Sequence, residues 1–85
     1  MQTTEIGNEI RNFLIDSFLF GRNDKLRDDE PLLGNVMDST GVVEFVVFLQ
    51  ERFEISVEDD EVTTENLGSI HSAIAFIERK HLNKA

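Results

Sequence analysis

The sequence contains no cysteine, and this absence removes several classes of function at once. Without a thiol, the chain can form neither a disulfide framework nor a zinc site built on cysteine, and it supplies no thiolate of its own. Any thiol chemistry in which the protein takes part must therefore come from another molecule.

Long apolar runs are also missing. No stretch approaches the roughly 18 consecutive apolar residues of a membrane-spanning helix. The first residues, 1–5, do not open a basic region followed by an apolar segment, as a secretory signal does. We therefore expect a cytoplasmic protein without a membrane segment.

Basic residues are scarce, with eight Lys and Arg against 17 Asp and Glu and a formal net charge of −9. Most of the imbalance lies in residues 38–65, which carry nine acidic residues and one base, Arg52. A field of this sign repels nucleic acid phosphates and attracts basic protein surfaces. It predicts protein partners with basic docking patches and no nucleic acid, although acids that only maintain solubility would give the same count.

The 85 residues suffice for one small domain, and 40% hydrophobic content with seven Phe provides for one modest core. No repeat, low-complexity tract or linker divides the chain. We therefore predict a single domain over residues 1–85.

Apolar residues recur at three- and four-residue steps, the spacing of helical faces. This spacing predicts four helices, at about 4–19, 39–53, 63–67 and 69–81. The long connection after the first helix starts at Gly21, a stop signal, and is expected to be held by Leu26, Leu32, Leu33 and Val36. The predicted class is all-α: a four-helix bundle with a long loop after helix one and a short third helix.

Each of the three longer helices has a face that is predicted to lie in the core. The inward residues are expected to be Ile6, Ile10, Phe13, Leu14 and Ser17/Phe18 in the first helix, Phe45, Val46, Leu49 and Phe53 in the second, and Ile70, Ala73, Ile74 and Ile77 in the last. Thr63 and Ser69 are expected to cap the third and fourth helices, since their hydroxyl oxygens can accept from free amides.

A second stripe on helix two mixes apolar and acidic residues: Thr40, Val43, Glu44, Val47 and Glu51. Exposed valines flanked by carboxylates are typical of a docking surface. Packing of the valines against the long loop accounts for the same spacing equally well.

Ser39 stands where the loop ends and the second helix begins. Serine is a good helix N-cap, and that structural role alone accounts for its presence. The start of a helix also offers free amides and a positive dipole end, which suit a phosphate ester on the hydroxyl.

Catalysis and metal binding are not expected. No Gly-x-Ser-x-Gly sequence surrounds Ser39, and the two possible bases, His71 and His81, both lie in the last helix. The acidic run 58–61 lacks the spacing of a calcium loop and is expected to be a solvated turn.

Four segments together resemble the acyl carrier protein family, whose signature is Asp-Ser-Leu followed by an acidic helix. They are Pro31-Leu32, Asp38-Ser39-Thr40, Val43-Glu44-Phe45-Val46 and Glu51-Arg52-Phe53-Glu54-Ile55. The resemblance covers nearly the whole chain, and it implies a single acyl carrier domain of the acyl-carrier bundle type. We expect a monomer that is not an enzyme.

The resemblance further implies that a phosphopantetheinyl transferase joins 4′-phosphopantetheine to Ser39. The thiol of this arm would carry acyl or aminoacyl groups as thioesters between partner enzymes, which agrees with the lack of cysteine. Family positions that meet partner enzymes correspond here to Asp38, Thr40, Val43, Glu44, Val47, Glu51 and Val57.

The chain departs from the common family pattern around the serine. Thr40 replaces the usual Leu, Gly41 replaces an acid frequent in carriers of fatty acid synthesis, Gln50 and Arg52 dilute the helix charge, and Phe48 replaces a commonly small residue. These departures favour a free-standing carrier of a specialised lipid or secondary-metabolite pathway.

Such a carrier is expected to be loaded by a dedicated acyl- or aminoacyl-activating ligase and to serve acyltransferase or synthase enzymes. The alternative is an acidic helical interaction module that has the same fold and no prosthetic group.

Overall fold

The computed structural model describes residues 3–19 and 26–83, and within these ranges the protein is helical and has no β-strand. The α-helices are α1 (Thr3–Phe18), α2 (Ser39–Phe53), α3 (Thr64–Leu67) and α4 (Ile70–Asn83), and a 3₁₀ helix at Asp59–Glu61 precedes α3. The all-α class and the short third helix are confirmed, and each predicted boundary lies within two residues of the observed one. The stop signal expected at Gly21 lies outside the described residues.

One core gathers side chains from the four helices and the loop. Its buried members are Ile6, Ile10 and Leu14 of α1, Leu26, Leu32 and Met37 of the loop, Phe45, Leu49 and Phe53 of α2, Leu67 of α3, and Ile70, Ala73, Phe76 and Ile77 of α4. Four of the predicted inward residues are only half-buried at its edge: Phe13, Phe18, Val46 and Ile74. Of the pair Ser17/Phe18, Ser17 is exposed, so only Phe18 reaches the core. Phe76 was not predicted, and its ring lies within 6 Å of the cationic groups of Arg79 and Lys80. In the described ranges, no helix is both long and apolar enough to cross a membrane.

The second half of the long loop is fastened to α1 and α4. Arg11 of α1 donates to the Leu26 carbonyl oxygen at 2.6 Å and pairs with the Asp28 carboxylate. The Asp28 carbonyl oxygen accepts from the His71 amide of α4 at 2.9 Å. The loop therefore delivers the chain to the start of α2 along a path fixed by hydrogen bonds.

Leu32 and Leu33 take opposite sides of this loop. Leu32 is fully buried, and its amide donates to the Gly68 carbonyl oxygen at 2.8 Å. Leu33 is 51% exposed, so the prediction that it helps hold the loop in the core is wrong. In extended backbone, adjacent side chains point to opposite faces, and only one of the two leucines can face inward.

Candidate functional site

A tight turn sets the entry into α2. Gly34 has a φ of 92°, a conformation that glycine adopts readily because it lacks a Cβ. Its amide donates to the Met37 carbonyl oxygen at 2.8 Å, and the Met37 amide donates to the Leu32 carbonyl oxygen at 3.0 Å. Met37 is buried as a result, and the chain leaves the core immediately after it.

Asp38, and not Ser39, is the N-cap of α2. Its backbone is extended, and its Oδ1 accepts from the Gly41 amide at 2.8 Å. The interpretation of Ser39 as an ordinary cap is therefore wrong: the carboxylate one residue earlier fills that role, and Ser39 is the first helical residue. Both residue types are favoured caps, so the sequence alone leaves this choice open.

The Ser39 side chain is consequently available for chemistry. The residue is exposed, and among the described residues its hydroxyl has no hydrogen-bond partner. The Ser39 and Thr40 amides likewise have no acceptor within the described ranges, since only Gly41 and Val42 donate to Asp38. A phosphate on the hydroxyl would meet free donors and the positive end of α2.

The predicted docking stripe lies on the outside of α2. Val43 is 63% exposed and Val47 is 45% exposed, so packing of these valines against the loop is excluded as their role. The polar members of the stripe, Thr40, Glu44 and Glu51, are also exposed, and so is Asp38 just before the helix. From Ser39 to Glu51 the stripe runs for about 18 Å, taking 1.5 Å per helical residue.

Val57 lies beyond the end of α2 and is only half-buried. Its amide donates to Gln50 Oε1 at 2.9 Å, which ties the link after α2 back onto the helix. The Gln50 side chain is thereby directed to this link. The dilution of helix charge by Gln50 therefore does not alter the outer stripe.

Arg52, the one base of the acidic segment, is directed to α1. Its Nε donates to Glu9 Oε2 at 2.7 Å. This hydrogen bond, together with the charge of the guanidinium, lowers the pKa of Glu9, and the pKa of Arg52 is raised in turn. The charge of Arg52 is therefore balanced by Glu9 of α1, and the outer stripe of α2 itself contains no base.

The acidic run after α2 is more ordered than the solvated turn that we expected. Residues Asp59–Glu61 form the 3₁₀ helix, and Glu61 Oε1 accepts from the Glu58 amide at 2.9 Å and pairs with Lys80 Nζ at 2.8 Å. The backbone hydrogen bond first, and then Lys80, lower the pKa of Glu61. No group of three possible metal-ligating side chains occurs in the described part of the chain.

The two histidines take structural positions on α4. The His71 amide serves the loop, as described above, and a ring nitrogen of His81 lies 3.0 Å from the Phe53 carbonyl oxygen. Phe53 is the last residue of α2, whereas Ser39 is the first, so His81 lies at the opposite end of that helix.

The prediction of site residues from sequence missed one feature, an apolar groove of about 120 Å³ beside the start of α2. Its lining includes Met37 and Val42 together with two exposed apolar residues, Leu33 and Val62. The available signal was weak: Leu33 follows another leucine, and Val62 is an isolated apolar residue after four acids.

Comparison with known proteins gives a uniform result, although no model of a protein family matches the chain. An acyl carrier protein of Akkermansia muciniphila is 31% identical over 80 residues, covering 93% of this chain and 96% of that protein. An acyl carrier protein of Campylobacter hominis is 32% identical over 81 residues, covering 94% and 99% respectively. The probable acyl carrier protein PigG of a Serratia species is 27% identical over 73 residues, covering 85% and 84%. With relatives at this identity that extend over nearly the whole of both chains, the protein belongs to the acyl carrier protein family, whose members are carriers and not enzymes.

Proposed function

We propose that the protein carries 4′-phosphopantetheine on Ser39 and passes acyl or aminoacyl groups between enzymes of a specialised lipid or secondary-metabolite pathway. Membership of the family implies the carrier role and the prosthetic group. The observation that supports Ser39 as the attachment site is its exposed hydroxyl, which Asp38 leaves free by capping α2 itself. The bound arm supplies the thiol, absent from the chain, on which such groups are held as thioesters.

The residues around Ser39 have separable tasks in this proposal. Met37 anchors the chain in the core immediately before the site, and Asp38 fixes the first turn of α2. The free amides of Ser39 and Thr40 stabilise the negative charge of the phosphodiester. The site therefore suits the phosphate end of the arm.

The outer stripe of α2 is the proposed partner surface. Its residues are Asp38, Thr40, Val43, Glu44, Val47 and Glu51, with Val57 following the helix. Family membership implies synthase, transferase and ligase partners. Their basic docking patches fit this surface because, within the described ranges, none of its acids is paired with a base: Arg52 is held by Glu9 on α1.

The specialised pathway is proposed from the residues that follow Ser39. Thr40 is exposed beside the serine where the family usually has Leu, and Gly41 offers no acid to a partner. Enzymes of general fatty acid synthesis that rely on those two side chains find neither. We therefore propose loading by a dedicated acyl- or aminoacyl-activating ligase, with the monomeric protein acting in the cytoplasm.

Intact-mass measurement tests the attachment site. The purified chain is incubated with coenzyme A, magnesium and a broad-specificity phosphopantetheinyl transferase, and one phosphopantetheine mass is expected to be added. Ser39→Ala should abolish the gain, whereas Ser56→Ala, which removes another exposed serine, should not. A parent chain that gains nothing supports the interaction module without a prosthetic group, and a Ser39→Ala variant that still gains the mass excludes Ser39.

The cargo requires a separate measurement, because the arm is common to the family. The carrier is purified from its native cells with the thioester intact, and the group on the arm is identified by mass spectrometry. An acyl or aminoacyl group unlike the intermediates of general fatty acid synthesis is expected. Recovery of those ordinary intermediates alone would contradict the specialised pathway and leave the Ser39 attachment standing.

A further inference from the structure

Close packing, and not an unusual backbone conformation, accounts for glycine at position 41 of α2. It is the third residue of the helix, and its φ is not positive. Glycine is a poorer helix former than alanine, so its presence in α2 needs another reason. The residue is buried, and a Cβ built on it would lie 2.8 Å from Met37 Cβ and 2.9 Å from Phe18 Cε1, closer than carbon atoms approach. Because Gly41 has no side chain, Met37 and Phe18 can both pack closely against it.

The Phe18 ring that covers Gly41 is itself held by other rings. Phe18 meets Phe13 edge to face, with centroids 5.9 Å apart and planes at 81°. Phe13 in turn stacks on Phe48, with centroids 4.2 Å apart and planes at 10°. Gly41 and Phe48 are seven residues apart and so share one face of α2. The end of α1 therefore contacts α2 at two points, Phe18 at Gly41 and Phe13 at Phe48, which lie two turns apart along α2.

Ser39 stands midway between the two packed residues. Met37, two residues before it, is buried and hydrogen-bonded to the turn, and Gly41, two residues after it, is pressed between Met37 and Phe18. The Gly41 amide is also the group that Asp38 caps. Any movement of Gly41 therefore shifts the first turn of α2, weakens the cap, and moves the Ser39 hydroxyl.

We propose that Phe18 and Gly41 are positioning residues for the modification of Ser39. Their contact fixes the orientation in which the first turn of α2 presents the hydroxyl to the transferase. This inference rests on the proposed attachment at Ser39. It also gives a reason for glycine at position 41: a larger residue there displaces either the Phe18 ring or the helix turn that carries Ser39.

Steady-state kinetics of phosphopantetheine transfer test the proposal. In Gly41→Ala, kcat should fall about tenfold, since small misplacements of a reacting group are costly. The KM for the carrier should stay within about twofold, because the exposed stripe that meets the transferase is unchanged. Combining Gly41→Ala with Phe18→Leu should recover only part of the rate, since leucine lacks the ring atoms 2.9 and 3.2 Å from the new methyl group, while the contact with Met37 Cβ at 2.8 Å remains.

Gly7→Ala is the matched control. It adds a methyl group to a glycine of α1 whose Cβ would lie 3.2 Å from the flexible end of Ile74, away from the start of α2. Its rate of modification should equal that of the parent. If Gly41→Ala is modified as fast as the parent, or if its defect persists unchanged with Phe18→Leu, the proposal is overturned while attachment at Ser39 stands.

Amide hydrogen exchange provides a readout that needs no transferase. The Gly41 amide should exchange slowly in the parent, faster in Gly41→Ala, and at an intermediate rate in the double variant, with Gly7→Ala like the parent. Equal protection of this amide in the parent and in Gly41→Ala overturns the positioning role. If the parent chain is never modified, the attachment proposal itself is wrong. This outcome differs from failure of the positioning role, which requires a parent chain that is modified.

Discussion

The Gly41 amide donates a 2.8 Å hydrogen bond to Asp38 Oδ1, and this bond spans Ser39, the proposed attachment site. The cap satisfies the helix start without using the serine hydroxyl. Ser39, although serine is well suited to capping, is therefore exposed at the first position of α2, and its hydroxyl has no hydrogen-bond partner among the described residues. The bond assigns the cap to Asp38, a choice between Asp38 and Ser39 that the sequence alone leaves open.

Removal of this cap should lower stability in a way that depends on the acceptor oxygen and not on charge. Asp38→Ala is expected to reduce the free energy of unfolding by about 1 kcal/mol, the usual cost of losing an N-cap. Asp38→Asn should cost much less, because its amide oxygen can still accept from Gly41. Urea denaturation of the three proteins measures the difference, and equal losses in both variants would show that the capping bond does not stabilise α2.

Truncating a side chain should lower stability much more on the inner face of α2 than on its outer face. Leu49 is fully buried, so Leu49→Ala is expected to lower the free energy of unfolding by about 2–5 kcal/mol. Val47 is 45% exposed, so Val47→Ala should change stability by no more than about 0.5 kcal/mol. Thermal unfolding compares the two variants, and a large loss in Val47→Ala would place that residue in the core instead of the docking stripe.

The sequence predicts the helices well because their apolar periodicity is local information. The burial of adjacent residues in irregular backbone is harder to predict. Leu32 and Leu33 are equally apolar, and only the path of the loop decides which one is buried. Contacts between distant parts of the chain leave no local signal. The pairing of Arg52 with Glu9, and the Phe18 ring over Gly41, each join residues of α1 and α2 that no periodicity relates.

Stability should depend on pH through Glu61. Its pKa is lowered in the folded protein, so its contribution is complete above the unfolded value of about 4.3 and is lost as the pH falls through the lower, folded pKa. Glu61→Gln should therefore be less stable than the parent at pH 7, and the difference should shrink below about pH 4. Urea denaturation at a series of pH values measures this difference.

The control for Glu61 is Glu65→Gln, in the first turn of α3, since Glu65 has no bond to another side chain or amide in the described ranges. It removes the same charge without removing a hydrogen bond or an ion pair. A difference between Glu61→Gln and the parent that stayed constant down to acid pH would show that the bonds from Glu58 and Lys80 do not favour the ionised carboxylate.

Docking should depend on the acids of the outer stripe and on ionic strength. Reversing both charges, Glu44→Lys with Glu51→Lys, is expected to weaken binding to a basic transferase about tenfold at low salt, given the modest energy of each exposed ion pair. The effect should diminish as salt screens the charges. Asp16→Lys, at an exposed position of α1, also reverses an acidic charge but lies on another helix, and it should alter affinity much less. Titration calorimetry over a range of ionic strengths measures these affinities, and if Asp16→Lys proves as disruptive per charge as the stripe variant, net charge and not the α2 surface governs docking.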